Sequence, residues 1–339
     1  MQKSVRQIAK EIGVSPATVS RVLNNKAGVA EGTRETVLRA VGDRGLLLPK
    51  GGNVPEPFVG IIVPELENPT FGVLASAIEK RLAAYGVTAL IGSSTLEGLT
   101  EMDYIATLMR RNIQGLVLVS GQHANPSADQ SIYWELHRQG MPMVLVNGQV
   151  PGLAVPTVVA DEAAGAQLAV DHLAELGHER IALAGGQAYL RPSQNRLAGY
   201  CRAMRRRFGR VDDRLYTETI YSVSGGHAAA RKLLSAGTTA IITGSDLMAL
   251  GAVAAVREAG LSVPADVSVV GYDDSYLASH SSPSLTTIRQ PLPEMASVVA
   301  TSLWEQLQGY RTPDFDHVFP LTLVARGSTA AAPVALTAK

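Results

Sequence analysis

The sequence has only one cysteine, Cys201, in 339 residues. A single thiol forms no internal disulfide, so the chain does not resemble the disulfide-stabilised domains of secreted proteins. The sequence also lacks an uninterrupted apolar run of about 18 residues, the length that a membrane helix needs. Its opening residues lack the apolar core of a secretory signal. We therefore expect a cytoplasmic protein with no membrane segment.

Motifs for catalysis and metal binding are missing as well. The seven histidines show no metal-ligand spacing. The sequence contains no phosphate-binding loop ending in Lys-Ser or Lys-Thr, no dinucleotide-binding glycine triplet and no nucleophile elbow. We therefore expect no cofactor, no metal ion and no catalytic residue.

The chain as a whole has no net charge, because 30 basic residues balance 30 acidic ones. The distribution along the chain is uneven. Residues 1–50 contain nine Lys and Arg against four Asp and Glu, an excess of five positive charges, which leaves five negative charges in excess behind them. A small basic unit on an acidic body is typical of a DNA-binding module joined to a second function.

Apolar side chains recur at helical spacing over residues 5–24, but the pattern breaks at Gly13. Gly13 can end a helix in the left-handed conformation, Ser15 can cap the next helix, and Pro16 fits its first turn. The sequence therefore predicts two short helices joined by a tight turn.

Two steeply crossing helices need a small side chain where they touch, and Ala9 supplies it, with Val19 facing it from the second helix. A third helix is predicted from about residue 31 to about residue 43. Together these elements predict an all-α helix-turn-helix domain over residues 1–45.

The second helix of the pair is expected to enter the major groove of DNA. Arg21 is the candidate for a base contact, because a guanidinium bonds both acceptors on the guanine edge. Thr18, Asn25 and Lys26 are predicted to contact phosphates, which position a protein without reading sequence. The full predicted DNA-binding set is Ser15, Pro16, Ala17, Thr18, Ser20, Arg21, Asn24, Asn25 and Lys26.

Residues 5–41 closely resemble the DNA-binding domain of the lactose and galactose repressor family, through the run VRQIAKEIGVSPATVSRVLNNKAGVAEGTRETVLRAV. The resemblance implies that the second helix reads a half-site. It also implies that Pro16, Ala17 and Arg21 face bases.

The next stretch, LLLPKGGNVPEP, is predicted to be a linker over residues 46–57, because its prolines and glycines do not sustain a helix. Members of the same family carry an Ala-Arg-x-Leu run here, which folds into a hinge helix on DNA and wedges a leucine into the minor groove. This sequence lacks that run and is shorter. Leu46, Leu47 or Leu48 either supplies a wedge or packs under the DNA-binding domain, so the relay from ligand to DNA stays open.

From residue 58 onward, short apolar runs alternate with amphipathic helical stretches. The runs are FVGIIVP, VTALIGS, GLVLVS, MPMVLVN, RIALAGG, TAIITG and DVSVVGY. This alternation is typical of parallel sheets covered by helices. Four strands, a break near residues 155–159 and a second series predict two similar α/β subdomains side by side.

These subdomains form the predicted effector-binding and dimerisation domain, residues 58–330. The N-terminal subdomain is predicted over about 58–157 and 289–320, and the C-terminal subdomain over about 158–288 and 321–330. Residues 331–339 are predicted to be a disordered tail.

Ligands of such folds bind beyond the carboxyl ends of the strands, so the cleft between the subdomains is the predicted binding site. Asp161 and Asp246 are predicted to cap helices, because each precedes a helical run. The predicted effector-binding residues are Asn68, Phe71, Ser120, Asn147, Arg196, Tyr221, Ser245 and Asp273.

Residues 58 to about 328 resemble the effector domain of the same repressor family, which is itself similar to periplasmic sugar-binding proteins. Matching motifs include VPELENPTFGVL, NRLAGY, GSDLMALGAVAAVREAG and SPSLTTIRQP. The resemblance implies a periplasmic-binding-protein-like fold in which Arg196 and Asp273 bond ligand atoms while Phe71 and Tyr221 line the cleft. The family usually has Asn where Ser245 stands.

An arginine and a carboxylate on opposite walls can hold neighbouring hydroxyls, which favours a mono- or oligosaccharide as the effector. The sequence thus predicts a transcriptional regulator, a repressor, whose affinity for double-stranded DNA depends on a small polar ligand. A sugar-binding receptor and an α/β enzyme are the alternatives, since fold does not fix function. The basic front and missing signal oppose the first, and the missing catalytic motifs oppose the second.

One DNA-binding domain reads too few base pairs to be selective, so a homodimer on a pseudo-palindromic operator is expected. The tail STAAAPVALTAK has no leucine heptads with which to build a tetramer.

Overall fold

The computed structural model describes residues 9–23, 28–42, 57–95, 98–310 and 316–333. The chain divides into two compact units, residues 1–56 and residues 57–339. None of the helices in the described ranges combines the length and the apolar character that a membrane crossing requires. The predicted linker, apart from Pro57, lies outside the described residues.

The smaller unit is helical. Residues 9–11 are helical, and Gly13 turns the chain with a φ of +70°. Helix α1 then spans Pro16–Leu23, and helix α2 spans Glu31–Gly42. The left-handed glycine confirms the turn that the sequence predicts.

A cluster of small and branched side chains holds these helices together. Ala9, Val19, Val22 and Val37 are all essentially inaccessible to solvent. Partly buried apolar side chains pack around them: Ile12, Val14, Val29 and Ala40. The predicted pairing of Ala9 with Val19 is therefore confirmed, and the helix-turn-helix fold has its own core.

The larger unit contains two six-stranded sheets. The strands of the first sheet are β1 (Phe58–Val63), β2 (Thr88–Ser93), β3 (Gly115–Val119), β4 (Met143–Val146), β5 (Thr157–Ala160) and β11 (Asp316–Phe319). Their order is β11-β5-β4-β3-β1-β2, and every pair is parallel. The helices that cover this sheet are α3 (Pro69–Ala84), α4 (Glu101–Met109), α5 (Ser131–Arg138) and α11 (Leu292–Leu307).

The strands of the second sheet are β6 (Ile181–Gly185), β7 (Tyr216–Glu218), β8 (Ala240–Thr243), β9 (Ser268–Asp273), β10 (Thr286–Arg289) and β12 (Thr322–Val324). Their order is β12-β10-β9-β8-β6-β7, and only β12 runs antiparallel to its neighbour. The helices of this subdomain are α6 (Glu162–Glu175), α7 (Arg191–Phe208), α8 (Val223–Ser235), α9 (Asp246–Glu258) and α10 (Tyr276–His280).

The two sheets repeat one topology. The orders β2-β1-β3-β4-β5 and β7-β6-β8-β9-β10 are both doubly wound, with the chain reversing its direction of travel beside the first strand. Each sheet separates two apolar clusters, one on each face. The predicted pair of similar parallel-sheet subdomains is confirmed.

One detail of the predicted pattern is wrong, because the break expected near residues 155–159 is strand β5. Its neighbours are β4 and β11, and Val158 in it has no solvent exposure. The strand reads TVVA, with only two large apolar residues, whereas the equally short β4 reads MVLV and stands out as an apolar run. The chain therefore first crosses between sheets after Ala160, three residues later than the boundary drawn from the sequence.

Two further crossings follow, one between β10 and α11 and one between β11 and β12. The last is short, since only residues 320 and 321 separate a strand of the first sheet from a strand of the second. Three connections of this kind link the two halves of the effector unit.

Residues beyond β12 pack against the second subdomain. The Ser328 hydroxyl donates to the Val269 carbonyl oxygen at 2.6 Å and accepts from the Thr286 backbone N–H at 2.8 Å. The Ala332 backbone N–H donates to the Leu176 carbonyl at 2.8 Å. The predicted disordered tail is therefore held at residue 332, and residues 334–339 lie outside the described part of the chain.

The first subdomain also buries an imidazole. His123 is 1% exposed, and its Nε2 donates to the Val146 carbonyl oxygen at 2.9 Å. Its backbone N–H donates to the Tyr133 hydroxyl at 2.9 Å, and that hydroxyl in turn donates to Glu101. Burial disfavours the charged ring and lowers the pKa of His123 to about 4.

This depressed pKa gives a pH-dependent contribution to stability. An unfolded histidine has a pKa near ~6.5, so the contribution is complete above that pH and is lost as the pH falls towards 4. We expect the stability advantage of the native protein over His123→Gln to shrink by up to about 3 kcal/mol between pH 7 and pH 4. Urea unfolding of both proteins across this range measures it, and carboxyl groups that titrate in both cancel. Parallel profiles would contradict the assignment.

Candidate functional site

Helix α1 presents its first turns to solvent. Pro16, Ala17 and Arg21 are exposed, and Thr18 is half-buried. The Ser15 hydroxyl accepts from the Thr18 backbone N–H at 3.0 Å and lies 2.8 Å from the Thr18 hydroxyl. Ser15 therefore caps the helix and satisfies the Thr18 N–H, as expected of a helix N-cap.

The other predicted DNA-binding residues are less fully described. Ser20 lies within α1, and Asn24, Asn25 and Lys26 lie outside the described residues. The exposed guanidinium of Arg21 is thus the one long donor that the described part of α1 carries on its surface.

In the larger unit, a cavity of about 260 Å³ opens between the two subdomains, beyond the carboxyl ends of β4 and β5. Apolar atoms come from residues such as Val159 and Val318. Among the effector-binding residues expected from the sequence, only Asn147 lines it. The polar side chains of its wall are Asn147, Gln149, Asp161, Glu162, Arg191, Asn195 and Asp316.

Asn147 and Ser120 are paired at the ends of β4 and β3. Both take left-handed backbone conformations, with φ of +64° and +48°, as residues turning sharply off a strand often do. The Asn147 Nδ2 donates to the Ser120 hydroxyl at 2.9 Å. The Asn147 Oδ1 is buried and has no hydrogen-bond partner within the described ranges, so an acceptor beside the cavity is left for a donor from a ligand.

Arg196 is held by an unusually complete set of contacts. It is 4% exposed, and its Nε and Nη2 both donate to Glu162 Oε2, at 3.2 and 2.7 Å. Nη1 donates to the Gly244 carbonyl at 2.8 Å, and the guanidinium lies 3.8 Å from the ring centre of Tyr272. The neighbouring Glu162 carboxylate raises the pKa of Arg196, against the opposing effect of burial.

Tyr221 lies against this arginine. Its hydroxyl accepts from Arg196 Nη1 at 3.4 Å and lies 2.8 Å from the Ser193 hydroxyl. A side chain at Gly186 would overlap the Tyr221 ring, because a Cβ there would come within 2.1 Å of it. Glycine at 186 is therefore needed for the Tyr221 ring to approach the backbone just after β6.

Asp273 ends β9 with a φ of +108° and is 7% exposed. Its Oδ1 accepts from Gln290 Nε2 at 2.7 Å, and its Oδ2 faces Asn68 Nδ2 at 3.5 Å. Asn68 belongs to the first subdomain, where its Oδ1 caps α3 through the Thr70 N–H at 3.1 Å. Burial, reinforced by the charge of Asp246, raises the pKa of Asp273 to about 7.

Asp246 does not cap a helix, contrary to the prediction. Ser245 is the capping residue, because its hydroxyl accepts from the Met248 N–H at 3.3 Å. Asp246 instead accepts from Thr287 at 2.6 Å and from the Ser275 N–H at 2.7 Å, and so joins the start of α9 to β10 and to the residue that precedes α10. Ser245 is 1% exposed and occupied in its cap. The predicted cap at Asp161 is confirmed, since its Oδ1 accepts from the Ala164 N–H at 3.0 Å.

The structure thus brings most of the predicted effector residues to the carboxyl ends of the strands, in three contacting pairs. Arg196 contacts Tyr221, Asp273 contacts Asn68, and Ser120 contacts Asn147. Ser245 follows Gly244, whose carbonyl accepts from Arg196, but its own hydroxyl is used in the helix cap. Phe71 packs at the edge of the first core. Sequence reasoning missed Glu162, Arg191, Asn195, Gln290 and Asp316, which lie near the starts of two helices and in segments after β10. No three His, Cys, Asp or Glu side chains of the described chain are grouped to hold a metal.

Comparison with known proteins identifies the architecture. Residues 4–45 match the bacterial regulatory proteins of the lacI family, and residues 170–329 match a periplasmic binding protein-like domain. The HTH-type transcriptional regulator MalR of Streptomyces coelicolor is 42% identical over 338 residues, which cover 98% of each chain.

Solved structures agree over the whole length. The lac repressor dimer bound to operator and the anti-inducer ONPF superposes with a TM-score of 0.74 at 28% identity, covering 98% of this chain and 100% of that one. The transcriptional regulator CelR in complex with cellobiose gives 0.73 at 29% identity, covering 96% and 100%. Both units of the chain, the helix-turn-helix unit and the two-subdomain unit, are thus covered by these solved structures. The chain is a DNA-binding transcriptional regulator rather than an enzyme, and it belongs to the LacI family.

Proposed function

We propose that the protein is a repressor that binds a pseudo-palindromic operator in double-stranded DNA as a homodimer, in the cytoplasm, and that a sugar in the interdomain cleft controls its affinity for that operator. The observation that carries this proposal is the polar cavity between two doubly wound subdomains in a chain that also has a helix-turn-helix unit. A site formed by two bodies couples occupancy to their relative orientation.

The chemistry of the cleft favours a sugar as the effector. Asn147 Oδ1, at the cavity wall, is an acceptor with no partner within the described residues. Gln149 and Asp316 line the wall beside it, and Arg191 and Asn195 line the wall of the second subdomain. Donors and acceptors on both walls match the hydroxyl groups of a sugar ring, each of which donates and accepts. Asp273 lies outside this lining, at the carboxyl end of β9, where its carboxylate meets Asn68 of the first subdomain. The cellobiose in the CelR complex is consistent with this class of ligand.

The contact between Asn68 and Asp273 supports a closing motion. The two residues belong to opposite subdomains and their side chains are 3.5 Å apart. A ligand hydroxyl that bonds the Asp273 carboxylate competes with or reinforces this contact, and so changes the balance between open and closed clefts. A ligand shifts that balance only by its difference in affinity for the two states.

Exposed apolar side chains support a homodimer. Strand β2 lies at the edge of the first sheet, and its Leu90 and Ile91 are both about half exposed. In the second subdomain Ile220, Val223 and Tyr276 are similarly exposed. Exposed large apolar side chains on an edge strand favour a partner that covers them, and a second copy of the chain would supply one.

A gel-shift assay tests the proposal as a whole. A palindromic duplex selected from a random pool is offered to the full chain, with and without a panel of neutral sugars. We expect a salt-sensitive complex and a sugar that changes its dissociation constant by at least about fivefold, the lower range of allosteric coupling. A protein that ignores every duplex at low salt would refute the proposed repressor, and operator binding unaffected by any sugar would refute the proposed effector.

Arg21 provides a sharper test of DNA recognition. We expect Arg21→Ala to weaken operator binding by about tenfold to a hundredfold, because a bidentate contact to guanine is lost. Arg21→Lys is the matched control, since it keeps the charge but not the fork. Both variants should keep most of their affinity for a scrambled duplex. Equal losses on operator and scrambled DNA would show that Arg21 contacts only phosphate.

The raised pKa of Asp273 predicts a pH dependence of effector binding. With a pKa of about 7, the carboxyl is largely protonated at pH 6 and then loses acceptor capacity. If the ionised form binds the sugar, affinity measured by calorimetry should be about tenfold weaker at pH 6 than at pH 8. Asp273→Asn should bind weakly at both values with a flat profile. A flat profile in the native protein would remove Asp273 from the contact set.

A further inference from the structure

Glu162 neutralises the arginine on which ligand recognition was expected to depend. The carboxylate is buried at the start of α6, and Oε2 accepts both bonds from Arg196 and one from the Tyr272 hydroxyl at 2.5 Å. With Gly244 and Tyr221 bonded to Nη1, every nitrogen of the guanidinium has an acceptor. Arg196 therefore offers the cleft neither a net charge nor a free fork of donors.

The remaining charges of the cavity wall are mostly negative. Glu162 itself lines the cavity and is compensated by Arg196. Asp161 and Asp316 add two carboxylates, against the single guanidinium of Arg191. Asn147, Gln149 and Asn195 are polar but uncharged. A ligand that carries a carboxylate or a phosphate would therefore meet a cavity wall with a net negative charge. Arg196 would not offset this charge, because it is already paired with Glu162. The repulsion is poorly screened in a partly buried site.

Resting on the proposed function, we propose that Glu162 is a specificity-determining residue: by pairing with Arg196 it restricts the effector to uncharged polyhydroxylated sugars and excludes sugar phosphates and sugar acids. The volume of the cavity sets a second limit. At about 260 Å³ it falls just below the range of about 300–1,000 Å³ usual for small-molecule sites, which suits one sugar ring at this position.

Glu162 acts through Arg196 as a positioning residue. Its substitution should therefore change the ratio of the affinities for neutral and acidic sugars, and not only weaken binding of both. Removing the carboxylate frees one positive charge and two donors next to the cavity. An acidic sugar then gains a partner, while a neutral sugar gains little. The ratio of the two affinities moves in a way that general destabilisation of the fold would not produce.

Matched neutral and acidic sugars test this in the full chain. The pairs are glucose and glucuronate, galactose and galacturonate, and cellobiose and cellobionate, with glucose 6-phosphate as the phosphate probe. Thermal shift identifies the pair that binds, and calorimetry measures it. In the native protein we expect the neutral member to bind at least about a hundredfold more tightly than its acid. Equal binding of the acid would overturn the proposal without any variant.

Glu162→Gln should narrow that ratio by at least about tenfold, because Arg196 becomes available to the acid. If this variant fails to fold, Asp316→Asn is the second test, since Asp316 is exposed at the cavity wall and its loss should narrow the ratio about threefold. Glu175→Gln is the matched control on the same helix, where the side chain is 70% exposed and paired with Arg207, and should leave the ratio unchanged.

The outcomes separate the two proposals. A folded Glu162→Gln protein with the native ratio overturns the role of Glu162, and an Asp316→Asn protein with the native ratio overturns the role of the wall charge. If neither member of any pair binds the native protein, the sugar effector itself fails. A narrowed ratio in both variants, with none in the control, supports the assignment.

Discussion

Parallel strand pairing is the constraint on which the rest of the effector unit depends. Two parallel neighbours require a long crossover, so helices cover both faces of each sheet and all loops that leave carboxyl ends gather at one edge. The two sheets turn those edges towards each other, joined by three crossings. Side chains as distant in sequence as Asn68 and Asp273 thus come within 3.5 Å. The position of the cleft therefore follows from the strand topology and not from particular side chains.

Within that cleft, the buried pair of Arg196 and Glu162 shows how a polar interior is made tolerable. Taking either charge out of water alone is very costly, and the pair is acceptable because Tyr272, Gly244 and Tyr221 complete its hydrogen bonds. Within the described residues neither Asp246 nor Asp273 forms an ion pair, and burial raises the pKa of both carboxyl groups. The same low-dielectric region therefore holds a charge-neutral ion pair, Arg196 with Glu162, and two carboxyl groups whose protonation changes near neutral pH.

Much of this was open to sequence reasoning, and the failures have physical causes. Gly13, Ser15 and Ala9 predict the helix-turn-helix, because few residue types fit the turn, the helix cap and the helix crossing. Seven strands show as apolar runs, including the four-residue β4 and β8. The other five strands, β5, β7, β10, β11 and β12, each contain a polar residue such as Thr, Glu, Arg, Asp or His and give no such run. Asp246 was misassigned as a cap because sequence shows that a helix begins nearby, not which of two adjacent polar residues turns inward. Glu162 was invisible because its partner is 34 residues away on another helix.

The short passage from β11 to β12 has a consequence for how the protein is made. Strands β11 and β12 complete the two sheets from residue 316 onward, and Ser328 beyond them joins β9 to β10 through its two hydrogen bonds. A nascent chain emerging from the ribosome therefore exposes one incomplete edge on each sheet until residue 328 has been synthesised, and such edges are sites of mispairing. The basic helix-turn-helix unit, which has its own small core, precedes these strands by more than 250 residues. Translation thus produces a DNA-binding unit that can fold while the effector unit still lacks the strands that close its sheets.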